Sequence, residues 1–349
     1  MTAKIKTGLV GYGRIGESIH APLIDHEPLL ELTAVVERNR EKSREKYPDI
    51  TIYRSLDEML IQSEIQMVII CTPNAEHFPQ AKAALEAGKH VVVEKPITVT
   101  SKEAEILDKL AKSKGLVLSV FQNRRWDGDF LTVKQLLEEK VLGRILHFES
   151  HFDRFRPKPK TNWREKKVPG SGILYDLGPH LIDQAIQLFG MPSWIYAEIL
   201  LQRSGVEADD FFELTMMYGN LKVRLTASIM LNAPLPKFLI LGEKGSYSKY
   251  GLDIQEAAFK AGIQPGTHDW GREAEEDWGK IFLENESYTY PTLPGDYTRY
   301  YKNIAKAING EEELKVKPEE AILSMKIIEA AQKSNQEGRR VFSSEFLDQ

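Results

Sequence analysis

Gly11, Gly13 and Gly16 stand as Gly-x-Gly-x-x-Gly directly after an apolar run ending at Val10 and directly before a helical pattern. Strand, glycine loop and helix in that order build the first βαβ unit of a Rossmann sheet. The first glycine makes the tight turn, the second admits a pyrophosphate to the backbone, and the third lets helix and strand pack closely. The helix N-terminus turns its N–H groups on the phosphates, so Arg14 and Ile15 join the three glycines as candidate cofactor contacts. A glycine turn without a ligand is the alternative, and Glu37, at the end of the next apolar run, speaks against it. A carboxylate there accepts hydrogen bonds from the adenosine ribose and repels an added 2′-phosphate, which favours NAD. Arg38 pulls the other way, because its guanidinium can stack on adenine or pair with the 2′-phosphate of NADP. The expected cofactor is NAD or NADP with a modest preference for NAD. The alternative for the Glu37 and Arg38 pair is a plain solvated strand end.

Short apolar runs then alternate with amphipathic stretches as far as residue 120, the pattern of a parallel sheet with helical crossovers. Strands are predicted at Ile5 to Val10, Leu32 to Val36, Met67 to Cys71, His90 to Val93 and Val117 to Phe121. Helices are predicted at Ile15 to His26, Arg40 to Lys46, Leu56 to Ile61, His77 to Ala87 and Lys102 to Lys114, with Gly88 and Gly115 ending two of them. Beyond residue 143 the period becomes that of half-exposed strands, as in Leu146, Phe148, Ser150 and Phe152, and Gly219-Asn220 suits a tight hairpin. Residues 262–296 read as a long irregular excursion, and two helices close the chain near Tyr297 to Asn309 and Pro318 to Gly338. The fold class is therefore α/β. A Rossmann domain with a parallel sheet is expected over residues 1–121, and an α+β domain with a mainly antiparallel open sheet over residues 122–349.

The 349 residues suffice for two cores. Its 46 basic and 51 acidic residues, a net charge of -5 without long single-sign blocks, argue against a nucleic-acid or anionic-membrane partner. No signal peptide or transmembrane run is visible, so a cytoplasmic protein is expected. Cys71 is the only cysteine, which excludes intrachain disulfides and a multi-cysteine metal site. Its apolar surroundings read as those of a small buried strand residue rather than a nucleophile.

Four segments, GLVGYGRIG at 8–16, CTPNAEH at 71–77, AGKHVVVEKP at 87–96 and GILYDLGPHLID at 172–183, carry a resemblance to the glucose-fructose oxidoreductase and inositol dehydrogenase family, Gfo/Idh/MocA. Within it, QNRRWDGDF at 122–130, FDRFRP at 152–157 and NWREK at 162–166 look like the scyllo-inositol dehydrogenase branch. That branch has Ser before its NADP-binding Arg, where this chain has Glu37 before Arg38. The resemblance implies reversible, metal-free oxidation of a secondary alcohol of a sugar or cyclitol to a ketone. Lys95, Asp176 and His180 would form the catalytic group, and Thr72, Pro73, Asn74, His77 and Glu94 would join the cofactor contacts. It also implies a homodimer or homotetramer assembled through the open sheet.

The residue chemistry is compatible with that implication. Removing a hydroxyl proton while hydride leaves needs a base, and histidine suits it near neutral pH. His180 follows Asp176 by four residues, so on one continuous helix the two share a face. Pro179 demands either a kink or a helix that begins near Gly178. Lys95 ends the fourth predicted strand, at the sheet edge where such folds place ligands, and its ammonium can stabilise a developing alkoxide. A solvated strand-end lysine is the alternative. Pro73 and Asn74 follow the third strand and can run along the nicotinamide ribose, or form a simple turn. His77 reads as capping or lining the next helix.

Asn123, Arg124, Arg125 and Trp126 offer donors and an aromatic face to a small polyhydroxylated substrate, or form an interdomain salt-bridge cluster. Arg154, Trp163, Arg164 and Tyr175 are further substrate-side candidates. The competing functions are a non-catalytic dinucleotide sensor, a keto-sugar reductase and a dihydrodiol-type dehydrogenase.

Overall fold

A computed structural model describes residues 3–62 and 64–347. The chain divides into two compact units. One takes the residues up to 126 together with 255–270 and 296–322, and the other takes 127–254, 271–295 and the remainder from 323.

The first unit holds β1 (Ile5–Val10), α1 (Ala21–His26), β2 (Leu30–Val36), β3 (Thr51–Tyr53), α2 (Leu56–Gln62), β4 (Met67–Ile70), α3 (His77–Glu86), β5 (His90–Val93), α4 (Ser101–Lys114) and β6 (Leu118–Val120). The six strands form one parallel sheet in the order β3-β2-β1-β4-β5-β6. All four residues of β4 are buried, as in a parallel sheet covered on both faces. The order reverses between β1 and β4, the switch point at whose carboxyl ends open α/β sheets place ligands.

Local chemistry sets the helix ends. Thr100 and Glu103 make a capping box at the start of α4, and Gly115, at φ 64°, closes it in the left-handed region. The helix predicted over Arg40 to Lys46 shrinks to a 3-10 turn, Lys42–Glu45. The one predicted over Ile15 to His26 divides into a π-turn, Gly16–His20, and α1. β3 escaped the periodicity because it is a three-residue edge strand whose side chains are partly or fully exposed.

The second unit holds α5 (Gly128–Glu138), β7 (Ile145–His151), α6 (Gly172–Phe189), β8 (Trp194–Leu200), β9 (Phe211–Tyr218), β10 (Leu221–Ser228), β11 (Phe238–Gly242), β12 (Gly245–Lys249), β13 (Gly279–Leu283), β14 (Ser287–Tyr290) and β15 (Val341–Phe342). Their sheet runs β14-β13-β12-β11-β7-β10-β9-β8-β15 and is antiparallel except where β7 meets β10. Phe212, Leu214 and Met216 alternate inward along β9, where α6 packs on the sheet.

Within 262–296, expected to be irregular, β13 and β14 extend the sheet. β13 begins on a glycine and β14 is largely exposed, so neither shows an apolar period. Gly279 is required, because a Cβ there would lie 2.2 Å from the Tyr247 hydroxyl. The closing helices run Thr298–Ile308 and Pro318–Glu337. Among the described residues no helix is long and apolar enough to cross a membrane.

Candidate active site

In the first unit the glycine loop leaves the carboxyl end of β1. Gly11 has φ 97°, and a Cβ on it would sit 2.5 Å from the Cys71 carbonyl; a Cβ on Gly16 would sit 2.3 Å from the Gly11 carbonyl. Both positions are closed to any side chain. Gly13 differs, with nothing within 4 Å of where its Cβ would stand. That open space is the approach a pyrophosphate needs, so these residues fit a dinucleotide. Arg14 is exposed and Ile15 half-buried beside it.

Glu37 is buried at 6% exposure, and its carboxylate already has work. Oε1 accepts the N–H of Ser43 at 2.9 Å and Oε2 that of Lys42 at 3.0 Å, capping the 42–45 turn. Arg54 closes the same loop, donating to the carbonyls of Glu37 (3.0 Å) and Arg40 (2.8 Å) and to the Glu41 carboxylate. Arg38 stands exposed on this scaffold. Sequence reasoning did not find Arg54, which pairs with the loop from 13 residues or more away.

At the carboxyl ends of β4 and β5, Thr72 Oγ1 donates to Gln80 Oε1 at 2.8 Å, and Asn74 is buried behind Pro73. His77 is fully buried between two carbonyls, Pro96 O at 2.7 Å from Nδ1 and Thr72 O at 3.0 Å from Nε2. Burial holds its imidazole below the ordinary range. A neutral imidazole carries one N–H, so it donates to one of these two carbonyls. Glu94 accepts the Lys95 N–H through Oε2 at 3.0 Å and meets His20 Nε2 through Oε1 at 2.9 Å, while Lys95 is half-buried and precedes a cis proline, Pro96.

Asn123, Arg124, Arg125 and Trp126, proposed from sequence as substrate donors, are all buried within this unit. Arg124 pairs with Glu256, and Arg125 donates to Glu320 at 2.9 Å and to the Lys315 carbonyl at 3.0 Å. Trp126 sits edge-on to Tyr300 at 5.9 Å. Both arginines pair with carboxylates of the same unit, whereas the alternative to substrate binding expected a salt-bridge cluster between domains.

In the second unit α6 runs unbroken through Pro179, so Asp176 and His180 lie one turn apart on one face. The helix start is fixed by Asp209, whose carbonyl takes the Ile173 N–H at 2.9 Å and whose carboxylate takes the Leu174 N–H at 2.8 Å. Gly172 is needed there, since a Cβ would strike that carboxylate. Burial pushes the Asp209 carboxyl up to about 6. Asp176 is flanked by two guanidiniums, Arg154 at 3.6 Å and Arg164 at 3.4 Å, and Arg164 also lies over the Trp163 ring at 4.5 Å. His180 and Tyr175 are buried, at 7% exposure each. Four of the sequence-predicted residues, Arg154, Trp163, Arg164 and Asp176, thus form one charged, aromatic-edged group.

Residues 5–122 match the Gfo/Idh/MocA oxidoreductase family's NAD-binding Rossmann fold, and residues 134–342 its C-terminal alpha/beta domain. The oxidoreductase YdgJ of Escherichia coli K12 is 45% identical over 94% of this chain and 96% of its own. The scyllo-inositol 2-dehydrogenase (NADP(+)) IolW of Bacillus subtilis is 39% identical over 97% of this chain and 95% of its own. The structure of the oxidoreductase YvaA from Bacillus subtilis superposes with a TM-score of 0.94 at 38% identity, covering 98% of this chain and 99% of that one.

Proposed function

Because this chain belongs to the Gfo/Idh/MocA oxidoreductase family, we propose that it reversibly oxidises one secondary hydroxyl of a cyclitol or sugar to a ketone with NAD(P). The observation that carries this reading is Asp176 and His180 on one face of an unbroken α6, with Arg154, Arg164 and Trp163 grouped at Asp176. His180 takes the hydroxyl proton, and Asp176 orients the imidazole and stabilises its charged form. Lys95 stabilises the developing alkoxide. Trp163 covers the apolar face of the ring, while Arg154 and Arg164 donate to its hydroxyls. Gly11, Gly13 and the helix start at Gly16 would hold the pyrophosphate, and when bound the nicotinamide would accept the hydride. With the Glu37 carboxylate given to Lys42 and Ser43, the ground for an NAD preference weakens. NADP is accepted at least as well, with Arg38 at its 2′-phosphate.

The test is a panel of cyclitols, aldoses and simple alcohols with NAD and with NADP, following absorbance of the reduced nicotinamide. Turnover of a cyclitol or sugar above every simple alcohol is expected, with scyllo-inositol the first probe on the strength of the IolW relationship. The reverse order, or no turnover, would sink the proposal.

A further inference from the structure

A hydrogen-bonded chain of buried and half-buried groups runs through the first unit and ends at the main chain of Lys95. Tyr301 Oη lies 2.6 Å from His20 Nδ1, His20 Nε2 lies 2.9 Å from Glu94 Oε1, and Glu94 Oε2 receives the Lys95 N–H at 3.0 Å. Tyr301 is wholly buried, and burial pushes its hydroxyl well above the ordinary range, so it keeps its proton and donates to Nδ1. That fixes the His20 tautomer, because Nε2 then carries the hydrogen that Glu94 accepts. His20 is fully buried against the Phe121 ring, 4.4 Å away, at the end of the π-turn that follows the glycine loop. Burial alone would raise the Glu94 carboxyl, yet the His20 hydrogen bond and the nearby Lys95 ammonium hold it below the ordinary range.

An ionised side chain sheltered from water is an expensive way to satisfy one backbone N–H, since a loop carbonyl would serve. The arrangement makes sense if the direction of the next side chain matters. We propose that Glu94, held by His20 and Tyr301, is a positioning residue that fixes the main chain at Lys95 and so aims its ammonium. A swing of about 10° at the Lys95 Cα moves Nζ by about 1 Å, and misplacement on that scale costs about 100-fold in rate. The inference rests on the reading of Lys95 as catalytic.

The experiment measures kcat, on whichever panel substrate the wild type turns over fastest, and dinucleotide affinity by fluorescence. The variants are Lys95→Ala, Glu94→Ala, Glu94→Gln and the double variant Glu94→Ala/Lys95→Ala. Expected are a loss of about 30-fold to 100-fold in kcat for Glu94→Ala, partial recovery in Glu94→Gln, and a rise in dinucleotide Kd much smaller than the fall in kcat. In the Lys95→Ala background, Glu94→Ala should cost less than about 3-fold, because the residue acts through Lys95. Equal losses in both backgrounds, a Kd that rises as far as kcat falls, or near-normal kcat in Glu94→Ala overturns the proposal. Near-normal kcat in Lys95→Ala alone overturns the underlying reading and the proposal with it. Tyr301→Phe, which removes a single hydroxyl, carries the same cycle if Glu94→Ala does not fold, with an expected loss of about 3-fold to 10-fold in kcat and none beyond Lys95→Ala in the double variant.

Discussion

Glu37 Oε1 accepts the Ser43 N–H at 2.9 Å, so the residue that sequence reasoning expected at the ribose also builds the 42–45 turn. Glu37→Ser removes both caps of the 42–45 turn. Affinity for NAD and NADP should fall together, by about 10-fold, with the ratio of their specificity constants changing less than about 3-fold. Arg38→Ala should act on NADP alone. A large swing toward NADP in Glu37→Ser, with NAD affinity lost, would return the carboxylate to the ribose.

Gly13 and Gly16 share a motif but differ in why they are glycines. Gly13→Ala adds a methyl into open space, so its thermal midpoint should stay within about 2 °C of wild type while dinucleotide affinity falls at least about 10-fold. Gly16→Ala drives a Cβ toward the Gly11 carbonyl and should lower stability by about 2–4 kcal/mol before any ligand is added. Thermal denaturation without and with dinucleotide separates the two; equal apo stability of both variants would refute the assignment.

His180→Ala and Lys95→Ala should each lower turnover by about 100-fold to 10,000-fold and leave dinucleotide binding largely intact. Arg164→Ala should instead raise KM for a polyol more than it lowers kcat. Steady-state kinetics on the best panel substrate decides, and near-normal turnover in either catalytic variant removes that residue from its role.

Two carboxylates should tilt the acid limb of stability in opposite directions. Burial raises Asp209 from 3.8 to about 6, so the folded chain holds that proton more tightly. Its contribution is full below about pH 4 and is lost as pH rises to about 6. Burial works against Glu149 too, but Arg224 at 2.5 Å and His147 at 2.6 Å outweigh it and bring the carboxyl down to about 2. Its contribution is present above 4.5 and lost as pH falls toward 2. Thermal midpoints of Asp209→Asn and Glu149→Gln between pH 3 and pH 7, each relative to wild type, should slope oppositely. Parallel profiles would contradict the two assignments.

The sequence by itself determined the parallel sheet of the first unit, the glycine loop and the lysine at the end of β5. Each is a short-range property: a buried strand must be an apolar run, a tight turn with a close carbonyl must be glycine, and Lys95 follows its own strand. It also placed Asp176 and His180 four apart, although whether Pro179 interrupted them depended on the packing of α6 against β9 and β10. What only the tertiary structure decided is the partner of each polar group. Arg124 and Arg125 look alike in sequence whether they face a substrate or Glu256 and Glu320, which lie 132 and 195 residues away. That Glu37 also takes the Ser43 N–H does not follow from its place after β2, and His20 has no local reason to meet Tyr301, 281 residues on. A hydrogen bond needs only complementary chemistry within about 3 Å, and chain separation carries no signal for it, so these pairings become visible only when the fold brings the groups together.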